Sequence, residues 1–271
     1  MKLAFSTLAC PQWSTEQIVE NARSLGYDAL ELRLLDGAVL DPIKDAEKVK
    51  QAAALSRANG VEICTLDTSC SFNHSDPVLR ERHITDLRNW IQLAQEVQVP
   101  LLRVFGGAGK PDTFSRQEEN AWVAESLRQV AREAEQAQVT VVLETHDGFA
   151  SARRSAEVLN AVDSPAVSSL WDSHHPYRVG ESVSEVVQAL DHRIAHVHVK
   201  DARRTAPGSN TWQLVLLGEG EVPVHEQLQV LQQHGYQGYV SVEWEKKWHP
   251  EIPEPEVALP QHIALLKQWI A

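Results

Sequence analysis

The sequence predicts an α/β fold, a single closed (β/α)8 barrel spanning residues 1–271. Three observations carry that prediction. Eight short apolar runs rich in β-branched residues punctuate the chain, amphipathic stretches of helical period separate them, and the first turn has no glycine-rich motif. Strict strand–helix alternation calls for a parallel sheet with helices packed outside it, and eight repeats over about 250 residues is the usual size of a closed barrel. The rival, an open doubly wound sheet, normally begins on a GxGxxG turn; residues 6–13 contain none.

The runs fall at residues 2–7, 29–33, 61–66, 101–105, 140–144, 167–171, 194–199 and 239–244. Ser14, with Gln17 three residues on, forms a capping box that starts the helix after the first run. Asp76 followed by Pro77 starts the helix after the third. Gly26, Gly60 and Gly235 sit where the first, second and seventh helices need a left-handed closing residue. Loops are short and no linker divides the chain. One proline-rich patch, residues 249–255, falls between the eighth run and the last helix; a barrel places it on the rim, in position to act as a lid.

Composition narrows the function. With 43% hydrophobic and 23% charged residues the chain reads as globular, which excludes disorder and fibres. A net charge of -12 argues against nucleic acid, whose binding draws on Lys and Arg neutralising phosphates. No apolar run approaches the roughly 18 residues of a membrane span, and Met1 leads into a strand with no basic leader, so a cytoplasmic protein is expected. Cys10, Cys64 and Cys70 match neither a CxxC redox motif nor a zinc ribbon and read as buried free thiols.

Barrel active sites form at the carboxyl ends of the strands, and there four runs carry metal-ligand types. The fifth ends in Glu144 and the sixth leads into Asp172. The seventh contains His196, His198 and Lys200, and the eighth Glu243, followed by Glu245. Side chains alternate across a strand, so His196, His198 and Lys200 share one face, as do Ser241, Glu243 and Glu245. Taken singly, a strand-end carboxylate reads as a rim residue and His196 as a core histidine. As a set, three carboxylates and an imidazole repel and desolvate one another unless a cation sits between them. Glu144, Asp172, His198 and Glu243 therefore form the expected shell of one divalent ion: Mn²⁺ foremost, with Mg²⁺, Co²⁺ and Zn²⁺ compatible.

Further candidates surround that shell. His146 and His174 can ligate, orient a carboxylate or bind a hydroxyl. Lys200 can neutralise an oxyanion or a substrate carboxylate, or pair with Asp201. Glu31, Arg33 and Arg103 face inward from the far wall, either reaching substrate or forming buried pairs. Lys246, Lys247, Trp248 and His249 can close over a ligand or form a solvated run. The stretch 105–110 lacks phosphate-loop spacing.

These motifs resemble the sugar phosphate isomerase/epimerase family of xylose isomerase-like TIM barrels, which also contains tagatose and psicose 3-epimerases and inosose dehydratases. The matching segments are Leu143-Glu144-Thr145-His146, Trp171-Asp172-Ser173-His174-His175-Pro176, His196-Val197-His198-Val199-Lys200-Asp201, Leu217-Gly218-Glu219-Gly220 and Ser241-Val242-Glu243-Trp244-Glu245. They cover most of the C-terminal half; the N-terminal half resembles the family only in its rhythm. The resemblance implies that Glu144, Asp172, His198 and Glu243 hold the metal and that His175 contacts substrate. It implies an isomerase or epimerase of a sugar, keto-sugar or cyclitol, with Glu144 and Glu243 moving a proton α to a polarised carbonyl from opposite faces. A lyase or dehydratase acting on a keto-cyclitol or 3-keto sugar shares the first step. An abasic-site endonuclease, disfavoured by the charge, and a non-catalytic barrel are the remaining readings. The expected partner is a small-molecule substrate, with no nucleic acid and no membrane; a homo-oligomer is compatible with such barrels, though no self-complementary surface is legible.

Overall fold

The structure, a computed structural model, describes residues 1–108 and 114–270. Eight strands form the barrel: β1 (Lys2–Ser6), β2 (Ala29–Leu32), β3 (Glu62–Ser71), β4 (Leu101–Phe105), β5 (Thr140–Glu144), β6 (Val167–Asp172), β7 (Ile194–Val199) and β8 (Tyr239–Val242). Each pairs in parallel with its neighbours in sequence, and β8 closes the ring on β1 through Leu3↔Val240 and Phe5↔Val242. Helices α1 (Thr15–Leu25), α2 (Ala46–Ala58), α3 (Pro77–Val97), α4 (Arg116–Ala137), α5 (Ala152–Val162), α6 (Val183–Leu190), α7 (Val224–Gln233) and α8 (Pro255–Ile270) follow the strands in turn. The predicted (β/α)8 architecture is the observed one. None of these helices is long and apolar enough to cross a membrane.

The expected helix signals operate. Ser14 and Gln17 make the reciprocal capping box, Asp76 caps α3 ahead of Pro77, and Gly26 closes α1 in the left-handed region at φ +79°. The ends of α3, α4 and α5 carry no sequence signal, because Gln98, Gln138 and Asp163 take the left-handed conformation that glycine usually supplies. Two strand bounds differ from expectation by more than one residue. β3 runs on to Ser71, since its polar second half, Asp67 to Ser71, reads locally as loop but stays inside the sheet. β8 stops at Val242, and Glu243 continues the pairing only through its N–H, which donates to Val199 O at 3.1 Å.

The barrel interior changes character along its axis. Ala4, Ala29 and Cys64 pack together on one side of the lower layer, and Leu101, Val142 and Leu170 on the other. Tyr239 touches both groups, and its hydroxyl donates to Glu62 at 2.6 Å across the floor. Outward residues such as Val197, Val199, Leu143 and Val242 join the larger core beneath the helices. Towards the carboxyl ends the interior becomes polar, where barrels of this size usually keep branched apolar residues. The three cysteines are buried free thiols, and burial pushes each thiol up and away from reactivity.

Candidate active site

Glu144 closes β5, Asp172 closes β6, His198 lies on β7 and Glu243 stands one residue past β8. One donor atom from each lies within 4.8 Å of the other three. His198 Nδ1 is 3.3 Å from Glu144 Oε1 and 3.4 Å from Glu243 Oε1. Asp172 is aimed by its own turn: Oδ1 accepts the backbone N–H groups of His174 and His175 at 2.8 and 2.9 Å, which leaves Oδ2 facing inward. Both Glu144 oxygens, Asp172 Oδ2 and His198 Nδ1 are buried without a hydrogen-bond partner. Orphaned donors of this kind are costly to bury and fit an ion-binding cradle.

Fixed cations flank the cradle. Lys200 Nζ reaches Asp172 Oδ2 at 3.1 Å, Glu245 Oε1 at 2.7 Å, and Glu243 Oε2 in a short contact. Arg103 bridges the walls, with Nε 3.4 Å from Glu144 Oε2 and Nη2 3.5 Å from Asp67 Oδ2. Burial, the largest influence, raises the Glu243 carboxyl, but Lys200 and His198 outweigh it and hold the group well below the usual carboxylate range. Asp172 is pushed up to about 6, chiefly by burial. The Lys200 ammonium stays well above its ordinary value despite burial, because Asp172 and Glu243 flank it.

Several expected residues take different positions. Lys200 does not pair with Asp201, whose carboxylate instead accepts backbone N–H groups from Ala202, Gly218, Gly220 and Val222 at 2.8 to 3.1 Å. That is the use of the Gly218-Glu219-Gly220 segment: a Cβ at Gly220 would fall 2.0 Å from Asp201 Oδ1. Glu31, expected at the substrate wall, is fully buried with its carboxylate against His196 and His198. Arg103, read as either reaching substrate or forming buried pairs, forms the pairs: it is buried between Asp67 and Glu144 and stacks 4.0 Å over Phe105. Asp67 was not singled out from the sequence, because the run ending at Leu66 placed it in a loop; its alternation with Thr65 was the available signal.

Above the cradle lies a cleft of about 610 Å³, lined by His146, His174, His175, Trp212, Glu245 and His249 among others. His146 and His175 meet ring to ring at 4.2 Å, and neither His175 nitrogen has a hydrogen-bond partner. Burial holds the His175 imidazole well below its ordinary range, hence neutral. Trp212 enters on an antiparallel hairpin, Asp201–Arg204 with Trp212–Val215, which no sequence signal indicated. Lys246 and Lys247 do not close over this cleft. Lys246 Nζ donates to Pro250 O and Ile252 O at 2.7 and 2.6 Å and so braces the proline-rich rim, while Lys247 Nζ donates to Gly37 O at 2.6 Å and ties the segment after β8 to the segment after β2. The stretch 105–110 runs into positions outside the described residues.

A family profile for the xylose isomerase-like TIM barrel matches residues 19–269. The fructoselysine 3-epimerase of Shigella flexneri is 25% identical over 259 residues, covering 90% of each chain. The inosose dehydratase of Clostridium perfringens is 25% identical over 163 residues, 55% of this chain and 52% of that one. Among solved structures, the IOLI protein with a bound zinc atom superposes with a TM-score of 0.84 at 19% identity, over 100% of this chain and 98% of the other. The relatives are enzymes, and so is this chain. On the profile match the chain belongs to the family of xylose isomerase-like TIM barrels.

Proposed function

We propose that the chain is a divalent-metal-dependent isomerase or epimerase of a sugar, keto-sugar or cyclitol, with Glu144, Asp172, His198 and Glu243 as metal ligands. The observation that carries this reading is the convergence of four donors within 4.8 Å, several of them buried without a partner. Three carboxylates and one imidazole suit Mn²⁺ foremost, with Mg²⁺, Co²⁺ and Zn²⁺ compatible. Charge supports it independently. Six carboxylates (Glu31, Asp67, Glu144, Asp172, Glu243 and Glu245) face three permanent cations (Arg33, Arg103 and Lys200). Carboxylates thus outnumber permanent cations around the cradle, which favours a bound cation there.

When bound, such an ion withdraws charge from a carbonyl and its neighbouring hydroxyl, which acidifies the adjacent C–H. The chain supplies the proton transfers. Glu144 and Glu243 stand at opposite ends of the arc from β5 to β8, so one removes the proton from one face while the other returns it from the far face, giving an epimer. Return to the neighbouring carbon gives an isomer. Arg103 and Lys200 keep the two carboxylates ionised. His146 and His175 contact the substrate from the cleft, and Lys200 from beside the cradle carboxylates. Kinship favours this outcome over dehydration: the fructoselysine 3-epimerase aligns along 90% of both chains, the inosose dehydratase along 55% of this one.

The test offers unphosphorylated ketohexoses and keto-inositols to Mn²⁺-loaded protein in D₂O. The expected result is deuterium uptake at the α carbon with release of an isomer, read by NMR. Release of water without an isomer assigns the lyase reading instead. Glu243→Gln is expected to slow exchange about 10²–10⁴-fold with unchanged circular dichroism, and a fully active variant removes Glu243 from the mechanism.

A further inference from the structure

Beneath the cradle, one carboxylate serves two histidines. His198 Nε2 lies 3.0 Å from each oxygen of Glu31, and His196 Nε2 lies 2.5 Å from Glu31 Oε2. All three side chains are fully buried. On the other edge of the His198 ring, Nδ1 faces Glu144 and Glu243 at 3.3 and 3.4 Å without a hydrogen bond.

A neutral imidazole carries one proton and offers one lone pair, and the partner of the first nitrogen decides which atom offers the second. At His198 two carboxylate sides compete for that proton. Glu31 is nearer, satisfies the hydrogen-bond geometry and brings both oxygens to bear. A register shift in the pairing of β2 with β3, between Leu30 and Glu31, re-aims Glu31 at this point of the wall.

We propose that Glu31 is the positioning residue of the metal centre: it accepts the Nε2–H of His198, fixing the tautomer and ring plane that present Nδ1 to a divalent ion. His196 donates to the same carboxylate from the layer below and holds it in register, with Thr65 Oγ1 a further 3.3 Å neighbour of His196 Nε2. Glu31 has no exposed surface, and both imidazoles engage its carboxylate. This inference rests on the metal-dependent reading above, and it replaces the substrate-contact role that the sequence suggested for Glu31.

The experiment titrates Zn²⁺ into protein carrying ¹⁵N-labelled histidine. Affinity is followed by competition with a chelating dye, and the protonated nitrogen of His198 by long-range ¹H–¹⁵N correlation. The expected result is His198 protonated at Nε2 in the zinc-loaded wild type, and an affinity about 10–100-fold weaker in Glu31→Gln, with His198 distributed over both tautomers. Zinc binding with His198 protonated at Nδ1, or unchanged affinity and tautomer in Glu31→Gln, overturns the inference and leaves the metal reading standing. Zinc that leaves the His198 signals unmoved in the wild type overturns both. If Glu31→Gln does not fold, the wild-type tautomer alone decides.

Discussion

On the β5–β8 side of the barrel, Glu144, Asp172, His198 and Glu243 turn donor atoms towards one another and leave several without a hydrogen bond. The β1–β4 side buries comparable chemistry and engages it in ion pairs and imidazole contacts, although Glu31 Oε1, both Asp67 oxygens and Arg103 Nε are also without a hydrogen bond. Glu31 is answered by two imidazoles, Arg103 by Asp67 and Glu144, and the Arg33 guanidinium by Asp67 O and Ser69 Oγ at 3.1 and 2.9 Å. Burying an unanswered polar atom costs about 1–3 kcal/mol, so a fold tolerates a cluster of them only where something else completes it. What sets the β5–β8 wall apart is the convergence of four ligand types within 4.8 Å, which the other wall aims and partly neutralises.

Arg103 joins the two walls, so removing it should have the largest effect on stability. Arg103→Met leaves Glu144 buried without its cation, and a loss of about 3–5 kcal/mol is expected in urea denaturation. Added Mn²⁺ should restore part of that loss, because ligand-linked stabilisation grows with concentration over Kd and reaches about 2.7 kcal/mol at 100 Kd. A variant as stable as wild type would mean that Arg103 does not couple the walls.

The next effect separates the walls by metal affinity. Asp172→Asn removes a proposed ligand and should weaken Mn²⁺ binding by more than the roughly 10–100-fold typical of an outer partner. Calorimetric titration of the folded variant reads this directly. If Asp172→Asn binds Mn²⁺ as tightly as wild type, the cradle is not the ion's site.

The contrast also explains what the sequence could and could not reveal. Glu144, Asp172, His198 and Glu243 were legible because each ends or follows an apolar run of alternating period, and the barrel rule converts a strand end into a site position. Glu31 and Arg103 were legible as inward-facing residues but not in their roles, since what they touch comes from strands distant in sequence: His196 is 165 residues from Glu31. Asp67 escaped because β3 carries polar residues inward where a strand normally turns apolar. Trp212 escaped because its hairpin is short and is held by the fold of residues 218–222 onto Asp201, a contact with no local signature.

Asp67 gives the smallest expected effect and the sharpest test of the supporting wall. Burial first, and then the charge of Glu31, push its carboxyl well above the ordinary aspartate range. The folded state thus retains a proton that the unfolded chain releases above about pH 3.9, and stability falls as pH rises from there through the folded-state value. Asparagine presents an N–H where the protonated acid presents an O–H, so Asp67→Asn should match wild type near pH 4 and be equally or more stable at neutral pH, with little change in Mn²⁺ affinity. Urea denaturation across that range measures the slope. A variant that loses stability mainly at neutral pH would show Asp67 to be ionised and paired with Arg103, making the β1–β4 wall a second cluster of charges rather than a neutralised support.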